Sequence, residues 1–407
     1  MKRTANVVII GGGVVGCAIA YSLAKRINDV VLVEREGIAS QASGSNYGMV
    51  WQQTRLPGLD LTMARRCLAM YDYLREEVFD IDIEYQKRGG MTLVTSEASA
   101  RVMEKVVQEK QRLGVPVRFV WAGDVRHLEP NVSAEVVGST WCEEEAQLNP
   151  MLVSLAFARA AKRHGAEINT ETEVAGIRVE RGRVRGVKTT RGEIETDVVV
   201  NAAGCWGRQV ARLAGVDVPV WPQRLQSMVT EPMPDLVYRV LQGGREVTEE
   251  EAEHPEKVLA FAVELRGTPT EEALPREKLE DSIFPYIKPT VSGNMVIGTT
   301  SEFVGYDKTT LPRALTLMGQ KAVRLVPALR RANIIRSWSN FVPFTFDSLP
   351  ILGTVPQVEG LILAVGHAHA MSHAPATGEA LAELIVNGSP DMDLSEASIE
   401  RFSCGRD

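Results

Sequence analysis

The sequence predicts an α/β fold built on a parallel, doubly wound sheet, and three observations carry that prediction. A β-branched strand, Asn6 to Ile10, runs into Gly11-Gly12-Gly13, and a helix with apolar residues at i, i+3 and i+4 follows from Val14 to Lys25. A second apolar strand, Val30 to Val33, ends in Glu34, so G-x-G-x-x-G at Gly11, Gly13 and Gly16 is followed by an acid 18 residues past the last glycine. Near the other end, a strand from Leu361 to Val365 breaks at Gly366, and Ala374-Pro375 opens a helix over Ala376 to Val386 that stops near Gly388.

The first unit reads as a Rossmann-like dinucleotide site. Gly11 permits the tight turn, Gly13 lets a pyrophosphate approach the backbone, and Gly16 lets the helix pack against the strand with its N-terminus toward the phosphates. Glu34 is placed to accept two hydrogen bonds from a ribose diol. The 18 residues from Val7 to Ala24 carry no charge and superficially resemble an export signal, with V-V-G-C at Cys17 like a lipoprotein cleavage site. Three glycines make a poor signal core, and the strand, turn, helix and strand in register favour a folded unit. Cys17 on that helix reads as a small buried hydrophobe.

Residues 38 to 54 are small and polar, a loop suited to pass close to a ligand. A helix of about six turns is expected from Leu59 to Phe79, then strands over 81 to 96, a charged helix over 97 to 113 and short strands over 114 to 147. Asn149-Pro150 caps and opens a helix running to Arg163. Strands at 166–180 and 183–190 flank the hairpin signal Arg181-Gly182, and Asp197 to Asn201 is a buried strand ending at Ala202-Ala203-Gly204. Thr248 to Glu256 and Thr268 to Glu280 read as exposed insertions.

Composition narrows the function. Of 407 residues 44% are apolar and 24% charged, as in globular proteins, and a net charge of −7 argues against nucleic acid or an anionic membrane surface as partner. Five cysteines, Cys17, Cys67, Cys142, Cys205 and Cys404, include no C-x-x-C pair, which fits a reduced, cytoplasmic setting. No transmembrane segment is expected. His367, His369 and His373 have a spacing able to hold metal, yet no acidic or cysteine partner is adjacent, and no metal site is assigned.

These motifs together resemble the FAD-dependent amine and D-amino-acid oxidoreductases, the family of glycine oxidase, sarcosine oxidase and the flavin-bearing subunits of opine, proline and hydrogen-cyanide-forming dehydrogenases. VVIIGGGVVGCAIAYSLA…VVLVE is similar to the family's opening fold, ASGSNYGMV to its flavin-ring loop and QLNPMLVSLAFARAAKRHGAEI to its mid-chain helix. TETEVAGI with VVVNAAGCWG resembles a second FAD-contacting stretch, and SLPILG…GLILAVGHAHAMSHAPATGEALAELI the closing strand and helix. RLQSMVTEP and YIKPTVSGNMVIGTTSE look closest to subunits of heteromeric dehydrogenases.

The resemblance implies a glutathione-reductase-like FAD-binding domain of residues 1–85, 148–220 and 332–407. An α+β substrate domain on a mixed or antiparallel sheet, residues 86–147 and 221–331, is woven between its segments. Gly11, Gly13, Val14, Val15 and Gly16 would line the pyrophosphate, Glu34 and Arg35 the adenosine ribose, and Val174 the adenine. Ala42, Ser43, Tyr47, Gly48 and Met49 would approach the flavin, with Ala203, Gly204 and Trp206 in the second contacting stretch. Gly366, His367, Ala368, His369, Ala370, Met371 and Ser372 would border the flavin's polar edge. Trp51 and Trp206 read as packing walls, and Tyr286, where the family often has an active-site tyrosine, reads equally as a substrate contact and a core aromatic.

Two departures sharpen the expectation. Where simple amino-acid oxidases carry an arginine that clamps the substrate carboxylate, this chain has Val342, so either another arginine, with Arg55 and Arg224 the candidates, does that work or the substrate is not a simple α-amino acid. Asn340 stands where some sarcosine oxidases attach flavin through cysteine, so FAD is expected to be non-covalent. The implied chemistry is hydride transfer from an amine or amino acid to flavin N5, with no general base assigned and a helix N-terminus at the closing segment to offset charge. His369 is a further candidate for substrate contact. Secondary amines of opine, proline or N-methyl type are the expected substrates, with electrons leaving through another subunit that carries FMN or an iron–sulfur cluster, or to oxygen or a quinone. A 2-hydroxy-acid dehydrogenase and a non-catalytic flavoprotein subunit are the competing readings.

Overall fold

The charge-free run becomes the strand Val7–Ile10 and the helix Val14–Ala24 in the computed structural model, which describes residues 1–233, 235–253, 274 and 278–402. Val7–Ile10 lies in the middle of a parallel sheet between Val199–Asn201 and Val30–Val33, with Val358–Val365 beyond the first and Glu167–Asn169 beyond the second. Both faces of this sheet are covered. Val7, Ile9, Val30 and Leu32 pack into a core shared with the helices, while Val8, Ile10, Val31 and Val33 join a second core on the opposite face. A strand buried on both sides has no position for a charge, and that accounts for the uncharged run.

On the far side of Val358–Val365 the sheet continues as an antiparallel meander, Val174–Glu180, Arg183–Thr189 and Gly192–Glu195. Arg181 and Gly182, at φ of 50° and 76°, make its first turn. The expected strand over 166–180 is therefore two, its first piece Glu167–Asn169 in the parallel sheet. The helices Val14–Ala24, Leu59–Tyr73, Pro150–Arg163 and Ala370–Asn387 contribute to one shared core. Leu59–Tyr73 continues as a wider turn over Leu74–Val78, and the Asn149 side chain caps Pro150–Arg163 by accepting from the N–H groups of Met151 and Leu152.

The closing helix corrects its expected start. It begins at Ala370, four residues before Ala374, and carries Pro375 inside its second turn. Pro375 has no N–H to offer the carbonyl of Met371, but the buried Tyr71 hydroxyl donates to that carbonyl at 2.9 Å. The lost helical bond is replaced from a neighbouring helix, so proline does not mark the helix start here.

A second, eight-stranded sheet runs in the order Ile334–Phe344, Trp221–Pro232, Asn294–Gly298, Tyr286–Pro289, Val240–Gly243, Gly90–Val94, Gly138–Cys142 and Val117–Trp121. Its pairs are antiparallel except Val240–Gly243 with Gly90–Val94. Ile334–Phe344 pairs along its length with Trp221–Pro232. The expected boundary at residue 332 assigns Ile334–Phe344 to the FAD-binding domain, whereas its pairing joins it to the second sheet. Met49–Val50, Ala146–Gln147 and Gln86–Lys87 pair with one another as a small separate sheet. The short helix Ala122–Leu128 interrupts the strands expected over 114–147.

Of the two expected insertions, the first begins as the helix Glu249–Glu253, while its end, most of Thr268 to Glu280, and Cys404 lie outside the described residues. Among the described residues no helix is long and apolar enough to cross a membrane.

Candidate active site

Two cavities, of about 380 and 440 Å³, meet at Ala42, Ser43, Pro343, His367 and Ala370. Together they form one cleft that starts over the C-terminal ends of the parallel strands and ends against the second sheet. The position follows from topology, since ligands of open parallel sheets bind beyond the carboxyl ends of the strands.

The first cavity is built by the G-x-G-x-x-G turn. Gly11 has φ of 118°, and a Cβ there would meet the carbonyl oxygen of Ala202 at 2.5 Å. A Cβ on Gly16 would fall 2.0 Å from the carbonyl oxygen of Gly11, so only glycine lets the helix approach this turn. Glu34 accepts from the N–H of Gly12 at 2.6 Å and from that of Glu36 at 2.8 Å, which fixes its carboxylate at the cavity wall with acceptor capacity remaining. Ser43 accepts from the N–H of Val14 at 2.9 Å. The Arg35 guanidinium lies 4.1 Å from the centre of the Trp206 ring, against which Tyr306 also stacks at 5.6 Å. Val174, Ala203 and Gly204 complete this end.

The second cavity collects Tyr47, Gly48, Met49, Trp51, Thr54, Arg55, Gln242, Tyr286, Thr299, Val342 and the segment His367 to Ser372. Tyr47 and Tyr286 stack at 5.4 Å, and the Tyr47 hydroxyl pairs with Ser227 Oγ at 2.7 Å. Burial pushes the Tyr47 hydroxyl up to about 12 and raises that of Tyr286, so both stay protonated. Burial, reinforced by His373, pushes His367 down to about 3, and its neutral ring pairs with Thr377 Oγ1 at 3.0 Å.

Arg55 is the distinguishing group of this cavity. Its residue is 5% exposed, its Nη2 donates to Thr54 Oγ1 at 2.7 Å, and its buried Nε and Nη1 have no hydrogen-bond partner. His369 Nδ1, Gln242 Oε1 and Trp51 Nε1 are likewise buried and unpartnered in the same lining. Buried polar atoms without partners are rare, and their gathering around one cavity marks where a polar ligand supplies the missing bonds. Behind Arg55, His373 Nε2 lies 2.8 Å from Asp60 Oδ1, both side chains fully buried. Burial alone would raise the Asp60 carboxyl, but Arg55 and His373 outweigh it and hold it below its ordinary value.

The residues expected at the dinucleotide converge on the cleft except Val14, Gly16 and Gly366, which line neither cavity. Val14 and Gly16 act from within the helix rather than from the wall, Gly16 through close packing and Val14 through its N–H. Arg224 is a correction. Gln223 and Leu225 line the cavity, so strand alternation turns Arg224 away, where Glu302 and Asp307 hold it at 2.9 Å each. The residues missed were Thr54, Gln242, Thr299 and Asp60, which sit in no local motif; strand period across Gln223 to Leu225 was the one signal able to dismiss Arg224. Asn340 donates to Ser45 Oγ at 2.5 Å, beside the loop that carries Tyr47. His367 and His373 turn to separate partners, and among the described residues no cluster of His, Cys, Asp or Glu suits a metal ion. Burial raises the thiol of Cys17, and its sulfur faces the carbonyl of Gly12.

The family described as FAD dependent oxidoreductase matches residues 6–384. Glycine oxidase from Geobacillus kaustophilus is 29% identical, over 98% of this chain and 98% of that protein. Hydrogen cyanide synthase subunit HcnC from Pseudomonas aeruginosa is 27% identical, over 99% of this chain and 97% of that protein. The crystal structure of L-proline dehydrogenase from P. horikoshii matches with a TM-score of 0.85 at 25% identity, covering 100% of both chains.

Proposed function

Since the chain belongs to the FAD-dependent oxidoreductase family, whose members bind the cofactor that this cleft fits, we propose that it oxidises the C–N bond of a carboxylate-bearing secondary amine held by Arg55. The unpartnered Nε and Nη1 of Arg55 in the second cavity carry this reading. When bound, FAD would supply the two-electron acceptor that oxidation of a C–N bond requires. The Gly11 to Gly16 turn and Glu34 would hold its adenosine half, and Tyr47, Met49 and His367 to Ser372 would border its ring. The N-terminus of the helix Ala370–Asn387 opens on the same cavity, where its dipole favours negative charge. Arg55 orients the substrate by a forked bond to its carboxylate, the Tyr47–Tyr286 stack shields it from water, and no side chain is assigned as general base.

Opine, proline or N-methyl amino acids are the proposed substrates, and a heteromeric dehydrogenase the proposed setting. The name of one relative, hydrogen cyanide synthase subunit HcnC, supports the second point. A reduced cytoplasmic location is supported by the free, buried state of Cys17, Cys67, Cys142 and Cys205.

Anaerobic addition of such amines is expected to bleach the flavin. In Arg55→Ala the apparent affinity for them is expected to fall about 100-fold, in keeping with charged hydrogen bonds of about 1.5–3 kcal/mol each, while bound FAD is retained. Bleaching by 2-hydroxy acids and by no amine, or flavin loss in Arg55→Ala, overturns the reading.

A further inference from the structure

Beside the substrate cavity lies a third one, of about 260 Å³, and the two share Thr54 and Gln242 as common wall. Its apolar lining includes Met103 and Val107 from the helix Glu97–Arg112. Its polar lining includes Lys110 on the same helix together with Gln53, Thr92, Thr140 and Arg245, the last of them paired with Glu251. The Lys110 ammonium donates to the backbone carbonyl of Arg55 and makes no ion pair among the described residues. The ammonium therefore lies at the backbone of the residue whose guanidinium faces the other cavity. The Thr54 hydroxyl that holds the Arg55 guanidinium belongs to that wall, and the orphaned Gln242 Oε1 marks a polar gap in it.

Burial first, and the charge of Arg55 second, press the Lys110 ammonium below its ordinary value. Both effects are relieved by an anion placed beside it. An aliphatic wall ending in an unpaired ammonium suits a short carbon chain that ends in a carboxylate.

Resting on the reading of Arg55 above, we propose that the third cavity receives a second carboxylate of the substrate at Lys110, so that the preferred substrate is a dicarboxylate secondary amine of the N-carboxyalkyl amino-acid class. Arg55 takes the carboxylate next to the reacting carbon, and Gln242 and Thr54 border the passage of the chain between the two cavities. An amine with one carboxylate fills only the first cavity and leaves the Lys110 charge uncompensated.

Dead-end acids test this on the FAD-loaded protein through the change each causes in the flavin absorbance. Glutarate is expected to bind at least tenfold more tightly than butyrate, the ratio to fall near one in Lys110→Met, and to survive in Lys110→Arg. Met103→Trp, which fills the third cavity and leaves its charge in place, is expected to lower the ratio too, and it decides the matter should Lys110→Met not fold. Equal affinities in the unaltered protein, or a ratio that Lys110→Met or Met103→Trp preserves, overturn the proposal and leave the Arg55 reading standing. If neither acid perturbs the flavin, the carboxylate site at Arg55 falls, and this proposal falls with it.

Discussion

Glu145 lies fully buried against the loop that carries Arg55, where its carboxylate accepts from the N–H groups of Gln52 and Gln53 at 2.8 to 3.1 Å. Burial pushes its carboxyl up to about 7 even though those N–H groups and Arg55 oppose the shift. Its ordinary value is 4.5. A carboxyl that holds its proton more tightly folded than unfolded stabilises the protein below its unfolded value, and the effect is lost as pH rises through its folded value. Between pH 5 and 8 the protein is therefore expected to lose roughly 2 to 3 kcal/mol of stability relative to Glu145→Gln, measured by denaturant unfolding of both at each pH. A flat difference across that range removes Glu145 from the account. Neither this residue nor Arg55 stands out in the sequence, where Arg55 and Arg224 are equally plausible clamps. Their roles separate only when Glu302 and Asp307, 78 and 83 residues beyond Arg224, close around it.

Within single elements the sequence is more readable. At the Gly11 to Gly16 turn the contact that requires glycine at 16 is with the Gly11 carbonyl five residues earlier, so the spacing itself carries that part of the geometry, while Gly11 also faces the distant Ala202. The helix Pro150–Arg163 is bounded as its cap residues require, because Asn149 and Pro150 act locally. The closing helix is the counterexample, since Pro375 normally marks a first turn and here sits inside the helix. The donor that permits this, Tyr71, is 300 residues away in sequence. Tyr71→Phe leaves the Met371 carbonyl buried and unpaired, and a loss of about 1–3 kcal/mol is expected in denaturant unfolding of the FAD-loaded protein. Pro375→Ala in the same background restores an N–H for that carbonyl and is expected to return part of the loss. Full stability in Tyr71→Phe shows instead that the freed carbonyl finds another donor.

Across the whole molecule, the cleft belongs to both sheets. The first cavity rests on the parallel sheet, while Val342, Tyr286 and Thr299 of the second come from the other sheet or its edge. A cofactor bound along this cleft ties the two together and stabilises only the folded chain. Thermal unfolding is accordingly expected to shift upward with free FAD, by about 2.7 kcal/mol at a hundredfold excess over its dissociation constant. A midpoint independent of FAD concentration contradicts binding in this cleft. The sequence by itself determined the dinucleotide unit, because a βαβ turn is specified by neighbours: a left-handed glycine at 11, a Cβ-free contact at 16, an acid at the end of the next strand and no charge on a strand buried on both faces. Only the tertiary structure decided which arginine meets the substrate, where the closing helix begins and to which sheet residues 334–344 belong. Each of those depends on side chains or strand pairs distant in the chain, and burial and pairing at that range leave no period in the sequence to read.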